Sequence, residues 1–576
     1  NTGGNILAEV SATFNSVKIS RGNAMFGGGI SMVDGTAAEF NQCQISGNVA
    51  TEQGGGIASK NGKLSFNEVV ISECVAYKGG GLFLNGEENI LSGTAELKKN
   101  VASDSGGGIF LESGELRVSN VYIRENSATN AGGGIFMTGP AKLFLSEMTI
   151  YENTALKGGG IAASTFNGDC LVEATGAVAL VSNKASSEGG NFHGSALSRS
   201  DCYSMNIKDL DINSGEAPSG AGVFLVTCSA ELHSCKLNKN KAVSSQNLGK
   251  GGGLYSELTQ VSLFDVVIEN NEVQGSGAGI YMVGSTASIS AKGSEVRGNV
   301  AQHKGGGLAI QNSESYVKGI NLRNNKAAFG GGINIEGGNC LVQNTQVEYN
   351  IAAGNAAEGG GIRVEKSLIG TSNKGLVNLE GVAVSNNAVL GEMGKGGGVF
   401  ARQATVLHAG SYGFGNEDSH IAKFEIHYDE TTFQEMVYDF SNSTFIPSLV
   451  VSRNLARFGG GVFLENSIFK FRGPQTHVQP IQTSNNMGAI FANIAYNLRY
   501  VDGDKTTVDV YRSKLPINML DTQRGEGGNV FVSGTSEMYD ALVSGGKASV
   551  GGGVSVGGAK SMEEGHATLS RVVLVN

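Results

Sequence analysis

The stretch ENSATNAGGGIFMTG, residues 125–139, sets three glycines before an isoleucine and follows that isoleucine with a phenylalanine. Close variants are KGGGIA at 157–162, KGGGLY at 250–255 and FGGGVF at 458–463. Aligned on the glycines, the 576-residue chain holds nineteen copies of an apolar residue preceded by Gly-Gly-Gly or a near relative, from Ile6 through Ile490 to Val554. Most spacings lie between 24 and 32 residues, and 26 or 27 recurs, the length of one supersecondary unit. Longer intervals of 37 residues (Ile362 to Val399), 63 (Val399 to Val462) and 40 (Ile490 to Val530) mark insertions. The chain therefore reads as a single repeat domain over 1–576, with inserted loops at 401–449 and 493–526.

Within a repeat such as KLFLSEMTIYENTALKGGGIAA (142–163), Leu143 and Leu145, Met148 and Ile150, and Ile161 and Ala163 alternate with other side chains. Period two in three short segments, bounded by Gly or Asn and nearly free of proline, predicts three strands per unit and no helix. One such unit cannot bury its apolar face. Coiling successive units lays each strand beside its counterpart and forms three parallel sheets around one core. The predicted fold is all-β, a right-handed parallel β-helix of about nineteen coils with two large loop insertions. The glycines fit a sharp turn packed against the next coil, where a Cβ is excluded and positive φ is needed.

A second signature precedes the glycines: IREN (123–126), IYEN (150–153), LRNN (322–325) and VEYN (347–350). Its asparagine recurs at Asn48, Asn100, Asn126, Asn153, Asn183, Asn240, Asn271, Asn299, Asn325, Asn350, Asn387, Asn454 and Asn486. A column of Asn at one turn is expected to stack as an amide ladder, and Asn also tolerates the left-handed region. Cys74 takes the same place in its coil and reads as a buried thiol.

The combined pattern, an aliphatic residue, two residues, Asn, one residue, Ala, then the glycines and another aliphatic, resembles the repeats of the chlamydial polymorphic outer membrane proteins. Those carry F-x-x-N and GGA[ILV] motifs in the passenger of an autotransporter adhesin, and similar repeats occur in surface proteins of algae and protists. The likeness spans almost the whole chain. Here the aromatic of F-x-x-N is usually Ile, Leu or Val, the third small residue is usually Gly, and the C-terminal membrane barrel has no counterpart. The resemblance implies an extracellular or cell-surface location and an adhesive or structural role.

Composition narrows the classes of function. A net charge of −10 and the absence of any Lys/Arg run argue against nucleic acid, whose phosphates call for clustered positive charge. No stretch approaches the 18 apolar residues of a membrane span. Beginning at Asn1 and not at Met, the chain reads as processed or as an excerpt of a longer one. Enzymes with β-helix folds place carboxylates at one phase of neighbouring coils, and no such cluster is visible. Asp418, His420, His427 and Asp429 match no strong metal-ligand spacing and read as a solvated loop. No cofactor, metal or catalytic residue is assigned.

Other positions invite a contact role. In ten of nineteen repeats the residue after the first apolar position is aromatic: Phe83, Phe110, Phe136, Phe224, Tyr255, Tyr281, Phe400, Phe463, Phe491 and Phe531. Flanked by inward apolar residues, these rings are expected to point outward as a broken stripe along one sheet. Two readings stand side by side: rings stacking on each other, or an exposed strip covered by another chain, a glycan or the inserted loops. Cys170 and Cys202 share a phase in adjacent coils, with Cys228 close to it, so a disulfide among the three competes with buried or free thiols. Asn442 heads the single N-x-S/T sequon, a glycosylation candidate. The expected function is a non-enzymatic extracellular structural or adhesive protein whose partners are other protein chains, copies of itself, filament or surface components, or a glycan. The alternative is a polysaccharide-active enzyme or glycan binder.

Overall fold

The computed structural model describes residues 2–409 apart from 92, 140, 166–170, 197–204, 245–247, 285–287, 313–314, 367–374 and 392. Beyond 409 it describes 423–424, 438–439, 449–452, 454–471, 488–491, 494–495, 530–533, 535–544, 554–556 and 566–575. The chain forms two compact units, Asn1–Gln302 and His303–Asn576.

In the first unit the apolar residue after each glycine run opens a short first strand, and these strands pair parallel from coil to coil. Ile30 pairs with Ile57, Ile57 with Leu82, Leu82 with Ile109, Ile109 with Ile135, and Ile135 with Ile161. The second unit repeats the arrangement: Leu308, Ile333, Ile362, Val399, Val462, Val530 and Val554 pair in that order. Val399 pairs directly with Val462, so the first strands keep their register across the 63-residue interval between them. Inward side chains such as Ile109, Leu111, Leu116, Val118 and Ile123 are fully buried, each worth about 1.5–3 kcal/mol relative to exposure. On the second side, whose strands include Ala12–Asn15, Ala37–Asn41 and Lys63–Asn67, Phe14, Phe40 and Phe66 stack at centroid spacings of 4.8 and 5.1 Å.

Each coil carries four short strands where three were expected. Ile30–Met32 forms the first side, Ala37–Asn41 and Gln44–Ser46 the second, hinged at Gln42 with φ of 54°, and the unexpected strand, Val49–Gln53 after the ladder asparagine, the third side. Periodicity survives this kink because one left-handed residue redirects the strand and leaves the alternation intact on either side. A second left-handed residue stands before the ladder asparagine: Glu125 (φ 54°) before Asn126, Glu152 (φ 55°) before Asn153. The conformation credited to Asn thus falls on its predecessor.

The glycines have three separate causes, clear at 132–134. Gly132 has φ of 65°, and a Cβ there would lie 2.4 Å from the Ile135 carbonyl oxygen. A Cβ on Gly133 would meet the carbonyl oxygens of Gly159 and Thr154, in the next coil, at 2.5 Å each, and one on Gly134 would meet the Gly160 carbonyl oxygen at 2.7 Å and the Ile150 side chain at 3.0 Å.

The count of nineteen coils is too high. Ile490 pairs with Val451 and Val543, in the second-side column that continues from Val384, so it opens no coil. Phe491 accordingly pairs with Ser452 and Ser544 and leaves the ring column. Counting three residues on, as from Val451 to Asn454, leads to Asn493 and not Asn486; both lie outside the described residues. The third-side strands number sixteen among the described residues.

Candidate contact surface

The ladder asparagines satisfy each other. Asn100 Nδ2 donates to Asn126 Oδ1 at 3.0 Å and to the Ile71 carbonyl at 3.0 Å. Asn126 repeats this with Asn153, and Asn153 with Asn183. Each Oδ1 also accepts a main-chain N–H, as from Asn100 to Asn126 at 3.0 Å. In the first unit Asn240 bonds Asn271, which bonds Asn299; in the second, Asn325, Asn350, Asn387 and Asn454 are linked at 3.0 Å each. At the early end Asn48 Nδ2 donates to the Ile19 carbonyl and reaches Cys74 Sγ at 3.9 Å. Cys74 is buried, and burial pushes its thiol pKa up. A buried amide with both donors and its oxygen engaged escapes the penalty of about 1–3 kcal/mol for each orphaned group.

Besides the coil of Cys74, two coils lack the asparagine and solve the problem differently. Where Gly215 replaces it, Asn191 takes the place of the third glycine, accepts from Asn183 Nδ2 at 2.8 Å and donates to Asn240 Oδ1 at 3.1 Å. Where Gly22 replaces it, Asn5 does the same toward Asn48 at 3.2 Å. The sequence carried this signal as Gly-Gly-Asn before Phe192 and before Ile6. It is legible only once the third glycine and the ladder turn are known to face each other.

The ring column is buried, which corrects the expectation of an exposed stripe. Phe83, Phe110, Phe224, Tyr255, Tyr281, Phe400, Phe463 and Phe531 are all buried, Phe110 to 2% exposure, and Phe136 is half-buried. The rings do stack: Phe83 on Phe110 at 5.4 Å, Phe224 on Tyr255 at 4.4 Å, Tyr255 on Tyr281 at 5.3 Å, Phe400 on Phe463 at 5.4 Å, and Phe463 on Phe531 at 5.1 Å, while Phe110 meets Phe136 at 5.0 Å with the rings tilted by 44°. Their cover comes from the residue just before the glycines. The turn folds it back beside the strand, where Lys78 lies over Phe110, Lys250 over Tyr281 and Lys395 over Phe463, at 4.9–5.1 Å from the centroids. Alternation placed the rings opposite the core and could not show that a glycine turn builds a lid on that side. The recurrent Lys of KGGG was the available clue.

His193 also occupies this column, stacked on Phe224 at 5.3 Å, with Glu188 at 3.3 Å. The hydrogen bond from His193 leads the effects that hold Glu188 below the usual carboxylate range, with Lys157 at 3.0 Å assisting against burial. In the second unit Arg363 replaces a ring. It donates to Glu358 at 3.0 Å and to Asn334 Oδ1 at 3.1 Å and pairs with Glu365, while its guanidinium faces Phe329 and Phe400. Arg402 joins Glu358, Glu365 and Glu465 to the same cluster. Burial works to raise Glu365, but the two arginines prevail and its pKa falls.

What faces outward is the third side. In the first unit Val49, Val75 and Val101 pair in register, each about 40% exposed, with Met25 and Tyr77 exposed nearby. Farther along the same side Lys184, Glu216, Lys241 and Glu272 pair in register. A shallow groove on the second side is lined by Thr13, Glu39, Lys63, Ser65 and Glu88, with Lys63 3.5 Å from Glu88. Among the described residues no group of three or more His, Cys, Asp or Glu is placed to hold a metal ion, and no helix is long and apolar enough to cross a membrane.

Cys170, Cys202, Asn442 and the candidates Asp418, His420, His427 and Asp429 lie outside the described residues; Cys228 is buried. Burial raises the thiols of Cys235 and Cys340 to about 12.

Among the described residues every coil-to-coil pairing in both units is parallel, and this defines an all-β parallel solenoid. Residues 2–175 and 79–261 match the family model described as right handed beta helix region. The fold is a right-handed parallel β-helix. No curated protein matches the chain.

Proposed function

We propose that the protein is a non-enzymatic structural or adhesive β-helix of the cell exterior, a contact-making protein of the kind that the polymorphic outer membrane protein-like repeats suggest. The observation that carries this reading is the outward strip of Val49, Val75 and Val101 with Met25 and Tyr77. Its backbone is already paired on both sides, so it offers a flat apolar surface and no open edge. The ring column serves coil packing; the valine strip takes over the contact role. Supporting it, the asparagines, rings and many ion pairs are engaged along the stacking direction and do not converge on a cleft. The reading includes no cofactor and no nucleic acid, and its partners are protein chains or surface components.

The groove bearing Glu39 and Glu88 favours a second reading, glycan binding or cleavage. Reducing-end release from a panel of acidic glycans separates the two. No release is expected. Release that disappears in Glu39→Gln or Glu88→Gln would replace the first reading with the second.

A further inference from the structure

We propose that the third side of the first unit is a homotypic surface on which a second copy of this chain docks about a two-fold axis, running parallel to the strands between the coils of Glu216 and Lys241. The outward residues of four successive third strands are Lys184, Glu216, Lys241 and Glu272, in register and each with a side chain more than half exposed. Beside them the next outward column carries Pro218 and the exposed Val243, with Leu248 exposed in the turn that follows.

Two sheets meeting face to face pack about 10 Å apart and admit two kinds of two-fold axis in the interface. An axis along the stacking direction keeps the order of coils and sets Lys against Lys and Glu against Glu. An axis along the strands reverses the order. Lys184 then faces Glu272 of the other copy, Glu216 faces Lys241, and Pro218 meets Val243 across the centre. Shifting the copies by one coil puts Glu216 against itself and Lys184 against Lys241. The alternation therefore selects this axis, and among the complementary registers it allows, this one alone engages all four charges of each copy. Within the chain, Lys184 and Glu216 lie 2.9 Å apart and Lys241 and Glu272 3.8 Å; these exposed pairs contribute little to folding and remain available across an interface.

This inference uses residues other than the valine strip and survives failure of the functional reading above. Sedimentation equilibrium of the full chain over a concentration series tests it, with circular dichroism as the control for folding. A reversible dimer is expected, weakened by salt. Lys184→Glu, which by symmetry sets two like-charged pairs together, should raise the dissociation constant about tenfold or more. Lys184→Glu combined with Glu272→Lys should restore dimerisation although both intrachain pairs are then mismatched, a result that a folding role alone does not produce. A chain that stays monomeric throughout overturns the proposal. So does a dimer indifferent to Lys184→Glu, or one lost in Val75→Lys and not in Lys184→Glu, which places the copies on the valine strip.

Discussion

Asn191 and Gly215 exchange roles within one coil: the asparagine stands where a glycine is the rule, and the glycine where an asparagine is. Asn191 thereby bridges Asn183 and Asn240 at 2.8 and 3.1 Å. Restoring the repeat consensus with Asn191→Gly should therefore destabilise the protein. The Asn183 amide, which points at Asn191 Oδ1 from 3.3 Å, loses its acceptor, as does Asn183 Nδ2. Hydrogen exchange at the Asn183 amide should accelerate at least about tenfold, as expected for a lost buried bond of 1–3 kcal/mol. Unchanged exchange would remove Asn191 from the ladder.

Phe463 is fully buried between Phe400 and Phe531. Phe463→Ala should cost about 3–5 kcal/mol, read as an earlier unfolding transition of the second unit by exchange and calorimetry. An exposed ring would give a change within about 0.5 kcal/mol.

Much of this was legible in the sequence. The glycine period located the first strands, and the asparagine phase located the ladder, because both columns repeat one residue type under one steric or hydrogen-bonding demand. The ring column was located too, but its environment was not. Alternation tells on which side of a strand a residue lies, whereas cover over Phe110 depends on where the turn lays Lys78, a contact between coils. Ile490 was misplaced for a related reason. Its Gly-Ala-Ile resembles a glycine turn, and only pairing with Val451 shows it to be the aliphatic residue ahead of the ladder position.

The acidic limb of stability should depend on Glu188. Its folded pKa is depressed, so its contribution is present above the ordinary carboxylate value of 4.5 and is lost as pH falls through the lowered value. Wild type and Glu188→Gln should differ most at neutral pH and converge as pH drops from about 5 to 3. A difference that stays constant through that window would show that the hydrogen bond from His193 and the ion pair with Lys157 are not its source.

Cys235 and Cys340 are buried, and their thiols are raised to about 12. At pH 8 iodoacetamide should leave both unmodified in the native protein and alkylate both after denaturation, as peptide mass mapping will show. Rapid native labelling of either would place it outside the core.

The glycine turn hides the ring column and leaves the valine strip as the outward apolar face. Comparing native alkylation of Phe110→Cys and Val75→Cys by peptide mass mapping tests it most directly. The cysteine at 75 should react at the rate of an open thiol and the one at 110 at least about a hundredfold slower, in keeping with exposures of 39% and 2% for the residues they replace. Equal rates, or faster reaction at 110, would contradict it.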